Sequence, residues 1–101
     1  MDNSAVITLV KPKYKLDALN QYVPDGEILQ EVYCKVSSVT RTEWAAAAQK
    51  GLKAVYRVTV WVDEYGGATA AVLDGQRYGI YRTYQPNGDE IELYLERKVG
   101  A

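Results

Sequence analysis

Read for alternation alone, the chain divides into short stretches in which every second residue is apolar. In "EILQEVYCKVSS", residues 27–38, Ile28, Val32, Cys34 and Val36 fall on one side and Glu31, Tyr33, Lys35 and Ser37 on the other, with Gln30 interrupting the apolar series. A period of two is the signature of a half-buried strand. "AVYRVTVWVD" repeats it: Tyr56, Val58, Val60 and Val62 point one way, and Val55, Arg57, Thr59 and Trp61 the other. So does "EIELYLERK", where Ile91, Leu93 and Leu95 alternate with Glu92, Tyr94 and Glu96. Near the start, "SAVITLVKPKY" reads as a strand by its β-branched residues, which Pro12 ends or marks as an edge. Asp74-Gly75 inside "ATAAVLDGQRYGIYRTY" predicts a hairpin, and Pro86-Asn87-Gly88-Asp89 turns the chain into the closing strand. Two segments read as connections: "KLDALNQYVPDGE", closed by a turn at Pro24-Asp25-Gly26, and the polar "DEYGG", residues 63–67, as an exposed link.

One segment breaks the rhythm. Thr40-Arg41-Thr42-Glu43 fits a capping box, in which Thr40 and Glu43 satisfy each other's backbone amides, and alanine-rich sequence follows up to Gly51. A helix over about residues 41–50 is predicted. So short a helix is marginal alone in water, so it must dock. Trp44, Ala48 and Leu52 recur at spacings of four, which gives the expectation that Trp44 seals the helix against a sheet. The sum is about six short strands and one helix, with no βαβ rhythm. That is mainly β, an antiparallel barrel or sandwich.

Length and charge set limits on this picture. At 101 residues the chain is read as one domain. With 12 basic and 13 acidic side chains the net charge is -1, so nothing draws the whole molecule to nucleic acid or anionic membrane. Lys11, Lys13 and Lys15 share a side if extended, as a strand edge that resists aggregation would have them. A lone Cys34, no basic-then-apolar opening segment and no apolar run near the ~20 residues that cross a bilayer lead to the expectation of a soluble chain made in the cytoplasm.

Candidate chemistry is sparse. The chain has no histidine, which removes the commonest general base and metal ligand. Asp63-Glu64 and Asp89-Glu90 neighbour turns, and Gly66-Gly67 precedes a strand, whereas a phosphate cradle needs a helix N-terminus there. No catalytic residue, cofactor or metal is expected. Nine tyrosines with no phenylalanine suit partly wet surfaces that another protein covers, and equally the exposed face of a sheet. Trp61, Arg57, Tyr81, Tyr84 and Tyr94 are therefore candidate interface residues. Trp61 is left on a mixed face, either a second covered surface or a contact for another chain.

The order of "VITLVK", "TEWAAAAQKGLKAVYRVTVWVDEY", "VLDGQRYGIYRTY" and "DEIELYLERK" resembles the phage head-tail joining family, also called head-closure or stopper proteins, over residues 6–99. The resemblance implies a small antiparallel β-barrel with one helix, assembled as a ring in the virion between the portal or adaptor complex of the capsid and the tail. It also implies a loop that faces the DNA channel, for which Asp63, Glu64, Tyr65, Gly66 and Gly67, within residues 63–69, are the candidates by position. An acidic tip there repels the DNA backbone and suits a channel through which DNA slides. From a different class, an oligonucleotide-binding barrel would stack single-stranded bases on Trp61 and the exposed tyrosines beside Arg57.

Overall fold

A computed structural model describes residues 5–97; Ser4, Lys98 and Val99, which the sequence reading included, lie outside them. Six antiparallel strands close into a barrel in the order β1-β2-β3-β6-β5-β4. They are β1 (Ala5–Leu16), β2 (Tyr22–Ser38), β3 (Lys53–Trp61), β4 (Ala70–Leu73), β5 (Gln76–Tyr84) and β6 (Glu90–Arg97). Helix α1 (Arg41–Gln49) joins β2 to β3, and a four-residue helix, α2 (Val62–Tyr65), joins β3 to β4.

The core follows the alternation. Ile7 and Leu9, Val32 and Cys34, Val58 and Val60, Ala71 and Leu73, and Ile91, Leu93 and Leu95 fill the barrel. In register, Val58 faces Leu93 and Val60 faces Ile91, so branched side chains from β3 and β6 stack as cross-strand pairs. Burial pushes the Cys34 thiol up to about 11, as expected of a packing residue.

Helix α1 begins where the sequence predicts. The Glu43 amide donates to Thr40 Oγ1 at 3.1 Å. At the other end the Leu52 amide donates to the Ala47 carbonyl and Gly51 to Ala48, both at 3.0 Å, with Gly51 at φ 76°. That pair of bonds is a Schellman stop, and its left-handed residue is the one a glycine adopts without strain.

Three expectations need correction. The strand read as ending near Pro12 runs on to Leu16, and the loop with its Pro24-Asp25-Gly26 turn is the start of β2. The turn is Asp17 to Gln21 instead: Asp17 Oδ1 accepts from the amides of Leu19 and Gln21, and Asn20 takes φ 59°. β1 pairs with β4 only over Thr8 to Val10, and β2 pairs with β3 only from Lys35. Beyond Val10 the two strands therefore form a free ribbon, both of whose strands are edges, where proline costs no ladder bond. Ile28, assigned to the buried side, is exposed on it.

The second correction concerns α1. Trp44 is 53% exposed and Ala47 is the buried residue of the helix. The docked face is that of Glu43 and Ala47, because a methyl group lets the backbone lie closer to the wall than an indole does. Third, residues 63–69 are exposed at Asp63, Gly66, Gly67 and Thr69, as expected of a link, but they begin in a short helix and are seated on the core rather than free. Val62 and Tyr65 pack against the core, Ala68 is inside it, and the Thr69 amide donates to the Val10 carbonyl at 3.0 Å.

Candidate interaction surface

The outer wall carries three sites of different character. Around α1, the Glu43 carboxylate does not reach back to the Thr40 amide as a full capping box requires. It accepts from Arg82 Nε at 2.9 Å, from Arg82 Nη2, and from the Tyr81 hydroxyl at 3.1 Å. The Arg82 guanidinium in turn lies 3.9 Å from the centre of the Tyr94 ring, and Tyr81 and Tyr94 pack at 6.2 Å. The bond from Arg82 holds the Glu43 carboxyl below the usual range, and burial, with the Glu43 bond second, pushes Tyr81 up to about 12. This is a latch between helix and barrel. Tyr81 is half-buried in it and Tyr94 is buried, so Tyr94 presents little surface to a partner.

Along β3 and β6, register sets Trp61 against Glu90, Thr59 against Glu92 and Arg57 against Tyr94. Trp61 and Tyr84 stay exposed and Arg57 is half-buried, its Nε without a hydrogen-bond partner. Glu90 and Glu92 border one hollow with Lys35 and Arg57. Both carboxylates are already engaged: Glu90 accepts from Asn87 at 3.2 Å and Glu92 from the Tyr94 hydroxyl at 3.1 Å. Among the described residues no three His, Cys, Asp or Glu side chains gather in a metal-ligating group, and no helix is long and apolar enough to cross a membrane.

A groove outside β4 and β5 is floored by Ala70 and Gly79 and edged by Arg77 and Glu96. A Cβ at Gly79 would sit 3.1 Å from Glu96 Oε1, so a larger residue there makes the Glu96 side chain shift by a few tenths of an ångström. Arg77 ties this side to the ribbon with two bonds to Glu27, at 3.2 and 2.8 Å, although β1 and β4 lie between them in the sheet.

The channel-loop candidates rim one end of the barrel. Asp63 and Glu64 stand in the first turn of α2, where carboxylates suit a helix N-terminus. Gly66 closes the helix at φ 54°, and a Cβ on it would meet Lys11 Nζ at 2.7 Å. Gly66 and Gly67 both take positive φ, 54° and 77°, which glycine adopts without strain.

What does project is the ribbon. Its side chains Tyr14 and Leu16 (55% each), Leu19 (76%) and Tyr22 (77%) include the two most exposed large apolar residues among the described residues. The sequence carried a signal for them: Tyr14 and Leu16 alternate with Lys13 and Lys15, a period of two that a loop has no reason to show. No family model matches the chain, and no curated protein matches it significantly.

Proposed function

We propose that this chain is a structural connector component of a phage or prophage virion, joining the portal or adaptor complex of the capsid to the tail as one subunit of a ring. It works through shape and repeated contacts, without catalysis or a cofactor. The observation that carries this reading is the unpartnered ribbon, since large apolar side chains on a projection call for another protein surface to cover them. The resemblance over most of the chain supplies the partners. Each contact is weak, and ring closure reinforces it. Asp63 and Glu64 at the barrel rim suit a channel wall along which DNA passes without sticking.

The single-strand reading has less support. Glu90 and Glu92 stand in register beside Trp61 and Thr59, so phosphates of a strand stacked on Trp61 would meet carboxylates. A salt-dependent change in tryptophan fluorescence on adding a short single strand would restore it. The direct test of the connector is to mix the purified chain with portal-adaptor and tail-end complexes and image the products by electron microscopy. A ring at the junction is expected; no association with either at micromolar concentration overturns the reading.

A further inference from the structure

Two apolar surfaces of this chain lie uncovered, and one copy cannot bring them together. The first is a single face of the ribbon. Leu16 pairs across the strands with Tyr22, and Tyr14 with Pro24, so these side chains share a side. The opposite side is charged, with Lys15 near Asp25 at 3.7 Å. An amphipathic two-stranded ribbon is marginal in water unless its apolar face is covered.

The second surface is the outward face of α1. Trp44 stands between two hollows, one bordered by Val39 and Ala45, the other by Ala48 and Leu52. Arg41 and Lys53 edge these hollows, and neither forms an ion pair among the described residues. Tyrosine rings meet such a rim well, because the face of a ring attracts a cation.

β2 separates the two. It starts at the ribbon tip and ends two residues before the cap of α1, and its 17 residues, at ~3.3 Å each, span at most roughly 50 Å. The longest dimension of the molecule is 48 Å. The ribbon therefore points away from its own helix, and the apolar ridge and the apolar hollow occupy opposite ends of one chain.

We propose that the ribbon of one copy lays Tyr14, Leu16 and Tyr22 against the Trp44 face of α1 on a second copy. The contact is head-to-tail, since the two patches differ, and a head-to-tail contact closes into a ring when its rotation allows. The proposal deepens the ring assembly of the connector reading and rests on it. Three or four large side chains cover on the order of 500 Å² per partner, below the ~800 Å² of a standard interface. A pair of free subunits is thus weakly held, and each subunit in a ring gains two such contacts.

Disulfide trapping with the full chain tests this, in a Cys34→Ala background. A Tyr22→Cys variant is mixed with an Ala48→Cys variant at high protein concentration under mild oxidation, with Leu19→Cys as a second ribbon probe. The mixed dimer is expected several-fold above either homodimer, and Trp44→Ala in the helix partner or Leu16→Ser in the ribbon partner reduces it. A mixed yield no higher than with an exposed control, Thr83→Cys, overturns the proposal, as does dominance of the Tyr22→Cys homodimer, which would pair ribbon with ribbon. The outcome is separable from the connector test. Trapping without binding to head or tail complexes leaves the self-contact standing and removes the connector; the reverse result gives the ribbon to another protein.

Discussion

Replacing Glu43 by alanine removes the latch between α1 and the barrel. The substitution strips the Tyr81 hydroxyl of its acceptor, a loss of about 1 kcal/mol for a typical hydrogen bond. It also breaks the pair with Arg82, whose side chain is 46% exposed against 12% for Glu43. Solvent screening of the arginine holds that pair to about 1 kcal/mol. Alanine returns a few tenths of a kcal/mol, roughly 0.3, in helix propensity. The net loss is about 1.5–2 kcal/mol, a fall in Tm of roughly 10 °C for a domain of this size. The assay is thermal unfolding followed by circular dichroism, for Glu43→Ala, Arg82→Ala and the double variant. A coupling energy of about 1 kcal/mol is expected between neighbours that touch.

The acid dependence gives a second readout. The Glu43 carboxyl is held below its usual range in the folded chain, chiefly by the bond from Arg82. Its contribution is therefore fully present above the unfolded value near ~4.3 and lost as pH falls through the lower folded value. The gap in Tm between the natural chain and Glu43→Gln should narrow below about pH 4. A coupling energy near zero, or a gap unchanged on acidification, refutes the latch.

Three further outcomes are expected. Leu93→Ala, at a fully buried core position, lowers unfolding free energy by about 2–5 kcal/mol in denaturant titration. Trp44→Ala changes it by less than ~1 kcal/mol while Ala47→Asp is strongly destabilising, since the first is half out of the fold and the second is sealed on the docked face of the helix. Cys34, with its thiol buried and pushed up to about 11, reacts with a thiol reagent only as fast as the chain unfolds, so prompt labelling of the native protein contradicts the packing.

The barrel strands were legible because burial imposes a period of two wherever one side faces the core. Val58, Val60, Leu93 and Leu95 show this without interruption. Helix α1 was legible because its ends are local chemistry, written in Thr40 and Gly51. The docked face of that helix was not, since Trp44 and Ala47 both recur at helical spacing and only the position of the wall decides between them. The ribbon was hidden for a related reason. Pro24, Asp25 and Gly26 have the composition of a turn, yet Pro24 and Glu27 pair with β1 and the two residues between them form a bulge, in which Gly26 takes φ 88°. Likewise, the acidic and glycine-rich residues after Trp61 read as a free corner, while Tyr65 and Ala68, the residues that seat it, are too few to form a period.

The two joints on either side of the β1–β2 pair are short. Three residue pairs fasten β1 to β4 and four fasten β2 to β3, against the long run that binds β1 to β2. The wall is a hoop in which one double stave is held by brief stitching. A pull at the tip of such a stave would be carried into the barrel through those few stitches. A subunit gripped by its neighbour at that tip would have the hoop braced from outside.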